Sequence, residues 1–187
     1  MRDPDPRIVL GLHRSRYERR ILTSALDLGI DAIDTSFYYH AFTAHTALAS
    51  IGGDLLPRFT ISTKVGFFPA ASQAEHSLDP QRLRAAVEQT NRDLGRAPDV
   101  VFLHNPESSL LGPPGAAQDV LGEACTVLEA AAEAGLCGAW GISSWDPRPL
   151  PALADGTVPR PGVLMVHAGC SKPWPPGGAS VRTRSGA

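Results

Sequence analysis

Two stretches of the sequence, FTISTKV at residues 59–65 and DPQRLRAAVEQTNRDLGRAPDVVFLH at residues 79–104, decide the fold class. The first is rich in β-branched residues and is typical of a buried strand. The second begins with an Asp and a Pro, which suit the cap and the first position of a helix, and Gly95 suits that helix's end. Its apolar run VVFL then predicts another buried strand. A strand, a helix and a strand without a hairpin turn predict a parallel pair joined by a right-handed crossover.

The same alternation extends outward along most of the chain. Further strands are predicted at residues 8–12, 30–35, 139–143 and 163–166, and further helices at residues 17–28, 44–51 and 121–132. Between residues 12 and 167 the polar ends of the six strands recur about every 31 residues. Eight such units make the roughly 250 residues of a TIM barrel. The prediction is therefore an α/β protein of the (β/α)8 TIM-barrel type, incomplete at about six βα units.

Composition and motifs exclude several classes of function. The 187 residues carry 17 basic and 19 acidic side chains, and this net charge of −2 gives no electrostatic reason to bind nucleic acid or an anionic membrane. No apolar run is long enough to span a bilayer, and residues 2–6 lack the apolar region of a secretory signal. Three widely spaced cysteines suit a reducing compartment, so a cytoplasmic protein is predicted. No glycine-rich phosphate loop follows a strand, and the histidines lack metal-ligand spacing, so no metal site is expected.

Polar residues with chemical potential follow three consecutive strands. Asp34 and Tyr39 come after the second strand, Lys64 lies near the end of the third, and His104 ends the fourth. A lone Asp at such a place more often caps a turn, and a lone Tyr or His more often packs in a core. A lysine in a buried strand, however, needs a partner. Because barrel enzymes carry their chemistry at the carboxyl ends of strands, the four residues together favour an acid–base site.

The motifs around these residues resemble those of the aldo/keto reductase family. They are DTSFYYH at residues 34–40, STKVG at 62–66, LHNP at 103–106 and GISS at 141–144. The family carries Asp-Thr-Ala-x-x-Tyr, Thr-Lys, Leu-His-x-Pro and Gly-(Val/Ile)-Ser-Asn in that order. The DLG at residues 93–95 is also similar to the family's Leu-x-x-Leu-Gly run. The resemblance covers about residues 8–167 and implies a C-terminally truncated member.

The resemblance implies reduction of a small aldehyde or ketone to an alcohol with NADPH. Tyr39 would donate a proton to the carbonyl oxygen, while Lys64 would favour the phenolate and Asp34 would hold the ammonium. His104 would orient and polarise the carbonyl. The hydride has to come from a nicotinamide, because no side chain delivers one.

The resemblance also assigns the cofactor contact and shows where the chain departs from the family. Ser143, and Ser144 at the place of the family's Asn, would bind the nicotinamide carboxamide. His40 follows the tyrosine where the family has Gly, and His45 stands near the position of a family Glu. Strands seven and eight, which hold the phosphates of the cofactor in the family, are expected to be missing.

Two other interpretations stay open. The chain is divided into a partial barrel at residues 1–168 and an irregular Pro/Gly-rich tail at residues 169–187. An incomplete barrel leaves two sheet edges open, so the chain could be a catalytically impaired remnant or a module that binds a partner or a second copy of itself. Alternatively, the same acid–base residues could serve a lyase, dehydratase or isomerase that needs no cofactor.

Overall fold

The structure, a computed structural model, describes residues 8–71, 73–110, 112–153 and 158–167. The strands are β1 (Leu10–Gly11), β2 (Ala32–Asp34), β3 (Thr60–Val65), β4 (Phe67–Phe68), β5 (Glu75–His76), β6 (Val100–His104), β7 (Ala139–Ser144) and β8 (Val163–Val166). The helices are α1 (Arg19–Asp27), α2 (Tyr39–Phe42), α3 (Ala44–Gly52), α4 (Pro80–Leu94), α5 (Pro114–Glu133) and α6 (Leu150–Leu153).

Six of the strands form one parallel sheet in the order β1-β2-β3-β6-β7-β8. Each strand pairs with the next strand of this sheet along the chain, which is the arrangement that successive βα units produce. The predicted α/β class is therefore confirmed, and the six strands with their helices are consistent with an incomplete (β/α)8 barrel. The tail predicted at residues 169–187 lies outside the described residues.

Helix α4 shows why the local sequence signals were reliable. The Asp79 side chain accepts a hydrogen bond from the backbone N–H of Arg82, which satisfies one of the free donors of the first turn. Pro80 occupies the first helical position, and Gly95 ends the helix in the left-handed conformation at φ 70°. A cap, a proline and a terminal glycine therefore act at the positions where the sequence predicted them.

The apolar core lies between the sheet and the helices, in two clusters. One is centred on α4, α5 and the helix-facing side of β6 and β7, and it contains Val101, Leu103 and Ile142. The other packs α1 and α3 against the helix-facing side of β2 and β3, around Ile33 and Ile61. The opposite face of the same strands carries the polar residues described below, so side-chain alternation separates the core from the site.

Two details differ from the sequence prediction. In α1 the buried side chains are Leu22 and Ala25, while Leu28, predicted as the last residue of this helix, is 78 % exposed. Leu28 is the C-cap residue, one position beyond the last helical residue Asp27. The second difference is an antiparallel hairpin of β4 and β5, which pairs Phe67 with His76 and was not predicted. Two-residue strands are too short to show a hydrophobic period.

No helix of the described residues is both long enough and apolar enough to cross a membrane.

Candidate active site

The register of the sheet brings the predicted strand residues to one face. Asp34 pairs with Ser62, two residues before Lys64 on β3. Lys64 pairs with Phe102, two residues before His104 on β6. Because side chains two residues apart, and those paired in a parallel register, point the same way, the acid, the amine and the imidazole share the face away from the core.

Lys64 and Asp34 form a buried ion pair at the centre of this face. The Lys64 ammonium donates to the Asp34 carboxylate and, over 2.9 Å, to the backbone oxygen of Thr35. The Ser62 hydroxyl donates to the other carboxylate oxygen over 2.9 Å. The side chains of Lys64 and Asp34 are only 5 % and 17 % exposed. Burial lowers the pKa of Lys64, and the neighbouring Asp34 carboxylate opposes that shift.

Tyr39 lies beside this ion pair at the start of α2. The Lys64 Nζ is 5.3 Å from the centroid of the Tyr39 ring, and the ring is half-buried. The pKa of Tyr39 is raised, first by burial and then by the negative charge of Asp34. The sequence argument expected the ammonium to favour the phenolate. In this arrangement Asp34 already neutralises the ammonium, so the phenol holds its proton.

His104 is 5 % exposed and lies across the face from Tyr39, with the two ring centroids 6.5 Å apart. Burial, followed by the positive charge of Lys64, lowers the pKa of His104 to about 3, so its imidazole is neutral near pH 7. The Ser36 hydroxyl lies 3.3 Å from His104 Nδ1 and 3.3 Å from the backbone oxygen of Lys64. That oxygen also accepts the N–H of Phe37 over 3.0 Å, and because a carbonyl oxygen can accept two hydrogen bonds, the single Ser36 proton has two acceptors within reach, this oxygen and Nδ1 of His104.

An aromatic wall, which sequence reasoning missed, closes one side of the site. The Phe67 ring of the β4–β5 hairpin lies 4.8 Å from the Tyr38 ring and 5.0 Å from the His104 ring. The Tyr38 ring in turn lies 5.4 Å, centroid to centroid, from the His104 ring. The only available signal was the FF pair that begins three residues after the strand lysine, and it has no period that assigns it to a strand.

Ser143 and Ser144, the predicted cofactor contacts, end β7 next to His104. His104 pairs with Ser143 in the register, so Ser143 shares the site face and alternation turns Ser144 to the other side. The Ser143 hydroxyl makes one long hydrogen bond, of 3.4 Å, to the oxygen of Leu103. The Ser144 hydroxyl is buried without a hydrogen-bond partner. Since buried polar atoms are usually paired, the Ser143 hydroxyl has capacity for a further polar group in the site, as a carboxamide requires, whereas the Ser144 hydroxyl, predicted to share this contact, faces away from the site.

The turn after Tyr39 has a strained backbone. His40, Ala41 and Phe42 have φ angles of 52°, 52° and 66°, all in the left-handed region that favours glycine. The rings of His40 and Phe42 pack on Tyr17 and Phe37, with centroids 4.8 Å and 5.9 Å apart. These contacts hold the turn and thereby the position of Tyr39.

A cavity of about 260 Å³ opens on the outer side of Tyr39. It is lined by residues 12–15, Tyr17 and residues 38–40. Neither Lys64 nor His104 lines it, so the cavity reaches the phenol from the β1 side rather than from the centre of the sheet.

His45, near the position of a family Glu, is 2 % exposed and lies behind the sheet. Its Nε2 is 2.8 Å from the Thr63 hydroxyl, and burial lowers the pKa of His45 to about 4. Trp140 is buried and donates to Glu129, whereas Trp145 is 63 % exposed and stacks on His167 with ring centroids 4.3 Å apart. None of these residues reaches the Lys64–Asp34 pair.

The sequence model described as "Aldo/keto reductase family" matches residues 13–167 of the chain. No curated protein sequence matches the chain significantly.

Three solved structures show the extent of the similarity. A putative aldo-keto reductase from Pseudomonas aeruginosa is 25 % identical with a TM-score of 0.64, over 84 % of this chain and 60 % of its own. An aldo-keto reductase from Bacillus halodurans in its holo form is 20 % identical with a TM-score of 0.66, over 85 % of this chain and 52 % of its own. An aldo/keto reductase from Klebsiella pneumoniae in complex with NADP and acetate is 22 % identical with a TM-score of 0.56, over 77 % of this chain and 48 % of its own. The chain therefore spans roughly half to three-fifths of the length of these relatives.

Proposed function

Because the chain belongs to the aldo/keto reductase family, we propose that it reduces a small aldehyde or ketone to the alcohol with NADPH as the hydride donor. The observation that carries the proposal is the buried Lys64–Asp34 pair next to Tyr39, with Lys64 Nζ 5.3 Å from the phenol ring centroid. A buried charge pair is costly to assemble, and ionisable groups perturbed by burial and a specific charge partner cluster at functional sites. Its position beside a proton-holding phenol favours an acid that acts on a carbonyl oxygen.

Tyr39, Lys64 and His104 have separate roles in the proposed proton transfer. Tyr39, whose pKa is raised, keeps its proton until negative charge develops on the carbonyl oxygen and then donates it. As the phenolate forms, the adjacent Lys64 ammonium stabilises it in a site with little water. His104 stays neutral, and it donates from Nε2 when Ser36 donates to its Nδ1. This second hydrogen bond orients the carbonyl.

The nicotinamide, when bound, supplies the hydride that reaches the carbonyl carbon. Ser143 is the described residue that would hold its carboxamide, since its hydroxyl faces the site and has unused hydrogen-bonding capacity. We propose that the described residues bind mainly the nicotinamide end of the cofactor. NADPH and reduced nicotinamide mononucleotide, which lacks the adenosine half, should then bind with dissociation constants within about tenfold of each other.

Turnover of 4-nitrobenzaldehyde, followed by the loss of NADPH absorbance, tests the reaction. Tyr39→Phe removes the proton donor and should lower kcat by about 10²- to 10⁴-fold. The neighbouring Tyr38→Phe is the matched control and should keep kcat within about threefold of the unsubstituted protein, because Tyr38 contributes its ring. Saturable NADPH binding that changes tryptophan fluorescence should accompany activity. A protein that binds no NADPH at millimolar concentration would refute the proposal.

The exposed edge strand supports a second proposal, association with a second copy of the chain. Val163, Leu164 and Val166 of β8 are 38 %, 41 % and 40 % exposed. Adjacent residues of a strand face opposite sides, so within the described part of the chain both faces of this edge are apolar and open. Light scattering should then give twice the 19.8 kDa chain mass, and Leu164→Lys should return it to the monomer value. A monomeric unsubstituted protein would contradict this proposal.

Cofactor-free lyase, dehydratase or isomerase chemistry is not favoured by the site. Such reactions need a base that removes a proton near pH 7. Burial lowers the pKa of His104 to about 3 and raises that of Tyr39, so the first is a weak base and the second retains its own proton. The site supplies a proton more readily than it takes one.

A further inference from the structure

The β4–β5 hairpin carries a histidine that reaches the backbone of His104. His76 Nε2 lies 2.7 Å from the His104 carbonyl oxygen, and His76 Nδ1 lies 2.6 Å from the Ser109 hydroxyl. A carbonyl oxygen only accepts, so the proton of a neutral His76 is on Nε2 and Nδ1 is an acceptor. Ser109 therefore donates to Nδ1. The imidazole joins the hairpin, the end of β6 and the loop that follows β6.

The hairpin is built for this close approach. Gly66, between β3 and β4, has φ 141°, and a Cβ on it would lie 3.1 Å from the His104 oxygen and 3.2 Å from His76 Nε2. A larger residue would push against both partners of the hydrogen bond. The Ser77 N–H also donates to the Gly66 oxygen over 2.9 Å, which closes the hairpin at the same point. The contact therefore depends on a glycine at this position.

The backbone that His76 holds is one that would otherwise relax. Asn105, directly after His104, has φ 49° and ψ 57°, the left-handed conformation. This conformation is unfavourable for a residue with a side chain, although Asn tolerates it better than most. The Asn105 N–H donates to the Ser143 oxygen over 2.7 Å, and the His76 bond fixes the preceding carbonyl. The direction of the His104 side chain depends on these two hydrogen bonds.

We propose that His76 is a positioning residue that, with Ser109 behind it, holds the His104 carbonyl and so aims the His104 imidazole toward Tyr39. The effect on turnover rests on the proposed reductase function. The effect on the position of the imidazole does not, since it is a property of the free protein. Phe67, which pairs with His76 in the hairpin and contacts the His104 ring at 5.0 Å, completes the support from the side.

Two substitutions at one position separate positioning from simple packing. His76→Leu fills the space without a donor, whereas the amide nitrogen of His76→Gln can replace Nε2 as the donor to the His104 oxygen. His76→Leu should lower kcat about 10- to 100-fold, as loss of an orienting partner does, and leave the dissociation constant of NADPH within about threefold. His76→Gln should recover kcat to within about threefold of the unsubstituted protein.

The imidazole of His104 gives a readout that needs no turnover. Its Cε1–H signal in the NMR spectrum of the unliganded protein, assigned with His104→Gln, should shift in His76→Leu and return toward its original position in His76→Gln. The exposed His167→Leu is the control and should leave the signal unchanged.

The outcomes distinguish the two proposals. If the unsubstituted protein has no reductase activity but the His104 signal shifts as described, the proposed function fails and the positioning role stands. If the signal in His76→Leu matches that of the unsubstituted protein, or His76→Gln behaves like His76→Leu in both measurements, the positioning role is refuted. A lower urea midpoint in His76→Leu with unchanged kcat and signal would assign His76 to packing alone and also overturn it.

Discussion

Two buried neutral histidines predict that the protein loses stability in mild acid. His45 and His104 are 2 % and 5 % exposed, and burial lowers their pKa values from 6.5 to about 4 and about 3. Below pH 6.5 the unfolded chain binds protons at these positions while the native state does not. The stability is therefore fully present above pH 6.5 and is lost as the pH falls toward the folded-state pKa values.

The magnitude follows from the size of the shifts. Each histidine costs about 1.4 kcal/mol of the free energy of unfolding for every pH unit below 6.5, down to its folded-state pKa. At pH 5 this amounts to about 2 kcal/mol for each histidine and about 4 kcal/mol for both. Small domains have only about 5–15 kcal/mol to lose. We expect unfolding to begin above the pH range in which ordinary carboxylates titrate.

Urea unfolding followed by circular dichroism at several pH values measures this slope. His45→Gln removes one titration and retains an amide that can reach the Thr63 hydroxyl, so the slope between about pH 6 and pH 5 should fall by about 1.4 kcal/mol per pH unit. The exposed His167→Gln is the control and should not change the slope. If His45→Gln retains the full slope of the unsubstituted protein, the burial argument is wrong.

Two further substitutions test the ion pair and the strained turn. Lys64→Met leaves the Asp34 carboxylate buried without its partner charge, so the free energy of unfolding should fall by about 3 kcal/mol in urea titrations. Adding Asp34→Asn should restore part of this loss, because it removes the unpaired charge. A loss below about 1 kcal/mol would show that the pair is solvated. Ala41→Gly should raise the free energy of unfolding by about 0.5 kcal/mol, because glycine relieves the left-handed φ at a smaller entropic cost. Ala49→Gly in α3 should lower it by about 1 kcal/mol, and equal losses in both variants would refute the strain.

The parallel sheet could be predicted because its strands carry strong local signals. The strand predicted at residues 163–166 matches β8, and the strand predicted at residues 100–103 differs from β6 only in lacking its last residue, His104. Errors are larger at β1, where residues 8–12 were predicted and only Leu10–Gly11 pair. β1 is an edge strand with one neighbour, so its length depends on the register of β2 rather than on its own residues.

The candidate site could be predicted in its residue types but not in its electrostatics. Order along the chain placed Asp34, Lys64 and His104 at the ends of adjacent strands, and the register brings them to one face. The charge balance around Tyr39 depends on how closely Asp34 covers the ammonium, which is a property of packing. For the same reason the sequence suggested a lowered pKa for Tyr39, whereas burial and Asp34 raise it.

The position of each group in the sheet explains which part of the site six strands can build. Asp34, Lys64 and His104 lie on β2, β3 and β6, each of which is paired on both sides. Neighbouring strands therefore bury the charge pair and the imidazole without help from a closed barrel. Ser143, proposed to hold the nicotinamide, lies on β7, whose outer neighbour among the described strands is the exposed edge strand β8. Changes at the β8 edge, including association with a second copy, should consequently alter cofactor affinity before they alter the proton chemistry at Tyr39.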